Sequence, residues 1–182
     1  DGLTVMTMKA AAEQGKLDAQ FASLTKQDTD WFEALNLAHA TDGMYIHLAA
    51  KQQVDKPVYL VHLIEGQEVA VVSRNFISVE SGTKMTVIQH STAPEGTLGY
   101  VNIANEIFVG QNAEFHFEKV QDDSGEVYEH GTEWAHQARD SRFDIHTITL
   151  QGHWVRNNLN IAVDGENCST NLYGSYMPNG KE

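Results

Sequence analysis

The feature that most restricts how this chain can fold is a repeated turn. Val109-Gly110-Gln111-Asn112-Ala113 is echoed by Asp164-Gly165-Glu166-Asn167-Cys168, and Ser81-Gly82-Thr83 is a looser third copy. Strand-like runs flank each one. Gly82 and Gly110 stand 28 residues apart, and Gly110 and Gly165 stand 55, almost twice that interval. The intervening turn is therefore expected near residue 138, where Arg139-Asp140-Ser141 interrupts the apolar pattern. A period of roughly 20 to 50 residues marks solenoids, in which each coil buries its inner face only by stacking on its neighbours. The spacing thus predicts a mostly β protein, a parallel β-helix with about 28 residues per coil. An antiparallel sandwich is the alternative architecture.

The runs between the turns fit this plan. Val58 to Ile64, Val69 to Ser78, Met85 to His90, Val101 to Val109, Glu114 to Val120, Arg142 to Leu150, Val155 to Val163 and Ser169 to Tyr176 are short and rich in β-formers. Alternation gives them an inside and an outside. Phe115 and Phe117 are expected inward with Glu114, His116 and Glu118 outward; Val155, Asn157, Leu159, Ile161 and Val163 share one face, and Arg156, Asn158 and Asn160 the other. Val58 to Ile64 is apolar on both faces, as expected of a strand covered by helices as well as by the core. Those helices are read from the first residues. Met6 to Gln14 is rich in helix formers, and Asp28 or Thr29 is positioned to cap a second helix through Trp31, Phe32, Leu35 and Ala38. The organisation expected is a helical region over 1–42 and a β-helix over 43–182, truncated at its C-terminal end.

Charge and cysteine content exclude several functions. With 12 basic and 25 acidic residues the formal net charge is −13, which repels phosphate backbones, so nucleic acid is not expected as a partner. No apolar run approaches the ~18 residues of a membrane helix, and Asp1 to Lys9 lack the layout of a signal peptide, so a cytoplasmic protein without a membrane partner is expected. Cys168 is the sole cysteine, which rules out an intramolecular disulfide, a Cys-x-x-Cys pair and a zinc ribbon. In the repeat it aligns with Ala113, and a small buried side chain is expected there rather than a reactive thiol.

No catalytic, cofactor-binding or metal site assembles from the motifs. His116 and Glu118 share a strand face and His130 and His136 flank Glu133, but neither arrangement matches a His-Glu-x-x-His helix or a deaminase site. Asp122-Asp123-Ser124-Gly125-Glu126 lacks the alternating ligands of a calcium loop and reads as a solvated turn. Gly-x-Ser-x-Gly elbows and phosphate loops are absent. A non-enzymatic role is the expectation, with Arg139, Asp140, Arg156 and Asn158 tying turns and strand faces together.

The run Arg139-Asp140-Ser141-Arg142-Phe143, followed by His146-Thr147, Val155-Arg156-Asn157-Asn158-Leu159, Gly165-Glu166 and Leu172-Tyr173-Gly174, resembles the SufB/SufD family of iron-sulfur cluster assembly proteins, with SufD the closer member. Glu33-Ala34-Leu35-Asn36, Asp42-Gly43, Tyr45-Ile46, Lys56-Pro57 and Ser73-Arg74-Asn75 look like the pattern that joins its helical N-terminal region to the first coils. The resemblance implies a right-handed parallel β-helix and a non-catalytic scaffold of the SUF system, acting with SufB-like and SufC-like ATPase subunits. It implies no cofactor in this chain, the cluster being handled by the full complex. Arg139, Asp140, Ser141, His146, Arg156, Asn158, Gly165, Glu166 and Gly174 carry the motif, with structural roles expected. The chain ends at Asn179-Gly180-Lys181-Glu182, where the family continues into further coils, so self-association through an uncapped last coil is expected. A β-helical carbohydrate lyase or polysaccharide-binding module is the alternative function.

Overall fold

A computed structural model describes residues 2–25 and 30–177. The chain runs β1 (Leu3–Thr7), α1 (Met8–Glu13), α2 (Trp31–His39), β2 (Met44–Leu48), β3 (Val58–Leu63), β4 (Val69–Val79), β5 (Lys84–Ala93), β6 (Leu98–Val109), β7 (Glu114–Asp123), β8 (Glu126–Gln137), β9 (Arg142–Gln151), β10 (Trp154–Val163) and β11 (Ser169–Tyr176). Strands alternate between two facing sheets, ordered β1-β2-β4-β6-β8-β10 and β11-β9-β7-β5-β3. All pairings are parallel except β1 with β2. The molecule is a parallel β-helix of about five turns.

Stacked turns set the period. Gly82, Asn112, Asp140 and Asn167 all occupy the left-handed region, with φ of 69°, 54°, 58° and 58°. These are the residue types that tolerate it at least cost. Backbone bonds join each turn to the next: Gly82 N to Gln111 O, Asn112 N to Arg139 O, and Asp140 N to Glu166 O, at 2.8, 3.2 and 2.8 Å. Gly82 is therefore equivalent to Asn112 and not to Gly110, and equivalent residues lie 30, 28 and 27 positions apart along successive coils. Gly165 is needed for packing, because a Cβ there would strike the backbone of Arg139 in the coil before it.

The interior holds two apolar clusters. One packs Ile77, Val79, Val87, Ile107, Phe115, Phe117 and Phe143 beside the stacked turns, and a smaller one packs Ile64, Ala93, Val101, Ile103 and Val127 toward the other end of the strands. Phe115 and Phe117 are fully buried with Glu114, His116 and Glu118 outward, as alternation predicts.

The N-terminal region differs from expectation in three ways. Leu3–Thr7 is a strand, closing the edge of the first sheet against β2. The expected caps Asp28 and Thr29 lie outside the described residues; Asp30 is the N-cap of α2, its carboxylate accepting from Phe32 N at 2.8 Å. The helices cover the outer face of the first sheet and not β3, so Tyr59, Val61 and Leu63 are exposed. α2 runs across the strands. Asn36 donates to Ser73 O on β4 and to Asn102 O on β6, Phe32 stacks on His130 of β8 at 4.3 Å, and Asn158 of β10 donates to Asp30. Nine helical residues rise about 13 Å, close to the roughly 14 Å that four strands cover.

Candidate functional site

Between the two apolar clusters the interior carries a layer of polar side chains. Asn75, Asn105 and Glu133 point inward from successive coils of the first sheet, and Gln89, Lys119 and Gln121 from the second, all essentially without solvent exposure. Lys119 Nζ donates to Glu133 Oε1 at 2.7 Å and to Asn157 Oδ1 at 2.8 Å. Asn105 Nδ2 donates to the same Glu133 oxygen at 3.1 Å, and Asn75 Nδ2 to Asn105 Oδ1 at 2.8 Å. Asn157 Nδ2 donates to Gln121 Oε1 at 2.8 Å, Gln121 donates to Glu129, and Ser91 Oγ donates to Glu129 Oε2 at 2.7 Å. One connected file thus crosses the coils. Gly131 makes room for it, since a Cβ there would meet the Lys119 ammonium. Buried charge on this scale persists only when paired and hydrogen-bonded, which Lys119 and Glu133 satisfy.

At one end of the file Asp123 faces Glu129. Burial, followed by the Glu129 charge and its side-chain hydrogen bonding, pushes the Asp123 carboxyl up to about 8, so Asp123 keeps its proton near neutrality. Burial likewise lowers the nearby His62. This corrects the reading of residues 122–126 as a solvated turn: Ser124-Gly125 turns, but Asp123 lies inside and Asp122 accepts from Gln151 at 2.7 Å.

A second buried charge group lies under the helical cover. Arg74 is 2% exposed, with Nη2 3.1 Å from Glu106 Oε1 and Nη1 3.8 Å from Glu33 Oε2. Arg74 also donates to Asn36 Oδ1 at 3.1 Å and to Thr25, and Glu106 accepts from Ala22 N at 2.7 Å.

The motif residues occupy three places. In the turn column, Arg139 Nε donates to Asp140 Oδ2 at 2.9 Å, Asn167 donates to Asp140 Oδ1 at 3.1 Å, and Glu166 contributes its backbone carbonyl to the stack. The Asn167 amide, and then the guanidinium, hold the Asp140 carboxyl below its ordinary range. Ser141 is buried against Gln137 and Cys168. On the outer face of the second sheet, His146 pairs with Glu118 at 3.1 Å and Tyr173 packs edge-on against it; Gly174 follows on β11. On the outer face of the first sheet, Arg156 lies over Phe32 and donates to Asn158 Oδ1 at 3.3 Å, and Asn158 reaches Asp30 and His130.

Cys168 is half-buried, its thiol against the carbonyls of Ala138 and Gly165 at 3.2 and 3.3 Å. His130 and His136 face outward while Glu133 faces inward, so that trio never meets. Among the described residues, no three histidine, cysteine or acidic side chains converge as metal ligands.

Residues 62–182, the coils that carry both the polar file and the motif column, match the family described as SUF system FeS cluster assembly, SufBD core domain. The chain belongs to this family. It is also 25% identical over 170 residues to an iron-sulfur cluster assembly SufBD family protein of Synechocystis sp. (strain ATCC 27184 / PCC 6803 / Kazusa), covering 88% of this chain and 38% of that protein. The chain thus spans well under half the length of that relative. Among the described residues no helix is long and apolar enough to cross a membrane.

The polar file was missed from sequence although its signal was there. Asn75, Asn105 and Glu133 recur at the coil period on inward positions. β8 was missed altogether, because its inward positions carry Glu129, Gly131, Glu133 and Gln137 between the apolar Val127 and Ala135, while its outward ones include Tyr128, His130 and Trp134. That is the reverse of the usual pattern.

Proposed function

We propose that the chain is the β-helical portion of a SufD-like scaffold that assembles iron-sulfur clusters together with a SufB-like subunit and a SufC-like ATPase, in the cytoplasm and without turnover chemistry of its own. What carries this reading is the match of the SufBD core over all the coils from β4 onward. The chemistry is consistent with it. A protein-held cluster needs about four ligands, mostly thiolates, and Cys168 stands alone against two backbone carbonyls. The cluster is then cargo of the assembly, not a resident group of this chain. Family membership disfavours the carbohydrate-lyase alternative.

Two experiments test the reading. Affinity purification of the tagged protein from its native host should retrieve an ATPase and a second β-helical subunit; retention on polysaccharide with no ATPase would overturn the proposal. Anaerobic reconstitution with iron and sulfide, followed by desalting, should leave the chain colourless. Stoichiometric iron with charge-transfer absorbance, lost in Cys168→Ser, would instead make the thiol a ligand.

The last coil is proposed as a contact surface. Leu172, Tyr173 and Tyr176 on edge strand β11 are each more than half exposed, beside Val163 and Leu159 of edge strand β10. Unpaired strand edges with exposed apolar side chains associate. Sedimentation velocity should show concentration-dependent self-association that Leu172→Pro shifts toward monomer; a strictly monomeric chain at high concentration contradicts it.

A further inference from the structure

Where α2 begins, the helix roofs a polar pocket of about 340 Å³ whose floor is the outer face of β8 and β10. Its lining includes Asp30 and Glu33 from the helix side, and Thr132, Trp134, Asn158 and Asn160 from the strands. The volume lies at the small end of the range for small-molecule sites. Register explains the floor: Thr132 pairs with Asn158 and Trp134 with Asn160, four outward residues in two adjacent rows.

Three of these side chains have buried polar atoms that the protein leaves unused. Among the described residues, Glu33 is 0% exposed with no hydrogen-bond donor to either carboxylate oxygen, and Thr132 and Trp134 are 1% and 8% exposed with the hydroxyl and the indole N–H likewise unpartnered. Native proteins leave few such groups, and each calls for a partner. The Glu33 charge is also poorly met, because Arg74 stands 3.8 Å away and lies closer to Glu106, at 3.1 Å. One guanidinium is shared by two buried carboxylates. Asp30 is different, since Phe32 N and Asn158 already donate to it.

We propose that this pocket binds a primary ammonium group, with the ammonium donating to the Glu33 carboxylate and an adjacent ligand oxygen accepting from the Trp134 indole and the Thr132 hydroxyl. The carboxylate sets the charge, the two donors require an acceptor beside it, and the indole supplies an aromatic surface of the kind that attracts cations. Two sources offer this chemistry: a free amino alcohol or similar small amine, and a lysine side chain beside its own amide carbonyl.

The test uses the full chain with ethanolamine and with Nα-acetyl-lysine methylamide as probes, and ethylene glycol as the neutral control. Binding is followed by indole N–H and backbone chemical shifts. Saturable shifts at Trp134 and Glu33 with an amine, absent with ethylene glycol, are expected. The affinity should fall about tenfold or more in Glu33→Gln, the loss expected for a hydrogen bond to a charged group, and also in Trp134→Phe. Tighter binding of ethanolamine assigns the site to a free amine, and tighter binding of the lysine amide to a side chain. Equal binding of ethylene glycol, shifts that do not saturate, or amine binding unaltered in a folded Glu33→Gln each overturn the proposal. Thr132→Val, which exchanges the hydroxyl donor for a methyl group in the same place, decides the matter if Glu33→Gln does not fold: amine binding unaltered in it overturns the proposal.

Discussion

The two outer faces of this β-helix are built from strands of the same coils, yet they treat charge in opposite ways. On the first sheet, α2 and residues 14–25 cover the strands, and Arg74, Glu33, Glu106, Asn36 and Asn102 are sealed beneath them, each 2% exposed or less. On the second sheet no described residue outside the strands and their turns covers the outer face. There Lys84, Glu114, His116 and Asp144 form a surface chain with contacts of 2.9, 2.9 and 3.1 Å, and His146 meets Glu118 at 3.1 Å. The distances are alike and the consequences are not. A buried charge that loses its partner keeps its desolvation penalty, whereas an exposed pair exchanges each contact for water.

Arg74→Ala should sharpen this contrast most. It strands Glu33 and Glu106 under α2, so a loss of about 3–5 kcal/mol is expected by urea denaturation. A loss below about 1 kcal/mol would mean that water reaches the carboxylates and that the two faces are not so different. Asn36→Ala comes next. It removes the donor to Ser73 O and to Asn102 O and leaves buried acceptors unmet, for about 1–3 kcal/mol by the same measurement.

The interior has its own pH dependence, which must be separated from that of the faces. Asp123 titrates at about 8 in the folded protein against an ordinary 3.8. Folded protein therefore holds the extra proton in this window, the contribution to stability is full below pH ~4, and it is lost as pH rises toward 8. Asp123→Asn should flatten the fall of melting temperature between pH 4 and 8 and should be the more stable protein at pH 9. An unchanged slope would place the titrating group elsewhere. The smallest effect is expected on the bare face. His116, and then Lys84, hold the Glu114 carboxyl below its usual range, so that pair stabilises above the ordinary carboxylate pKa and weakens as pH falls through the lowered one. Exposure and salt screen it, and His116→Ala should change stability by about 0–1 kcal/mol at neutral pH, less in high salt.

Much of this architecture was legible in the sequence because one period governs it. Turn residues that tolerate the left-handed region recur once per coil, and Phe115, Phe117 and Val109 alternate as a half-buried strand requires. β8 escaped because both determinants of its pattern are remote. Glu129 and Glu133 are inward only because Gln121 and Lys119 meet them from the facing sheet, and His130 and Trp134 are outward only because the α2 region covers them. The same remoteness hid the pocket under α2, where Glu33 lines one cavity with Thr132 and Trp134, about a hundred residues later in the chain. For the motif block the order was reversed: Arg139 to Gly174 was legible by resemblance, and the structure then gave Asp140 and Gly165 a physical reason in the stacking of turns.

A stack of coils is a one-dimensional array, stabilised by each unit and by its contacts with the next, and such arrays fray from their ends in steps. α2 alters that arithmetic. Because Asn36, Phe32 and Asp30 reach β4, β6, β8 and β10 in turn, the helix acts as a splint, and no coil in that span can detach without breaking its bond to it. Melting should accordingly be a single cooperative step. Asn158→Ala cuts the hydrogen bond that ties β10 to the splint and leaves only the weaker Arg156–Phe32 contact there, so hydrogen exchange in β10 and β11 should accelerate while β4 and β6 keep their protection.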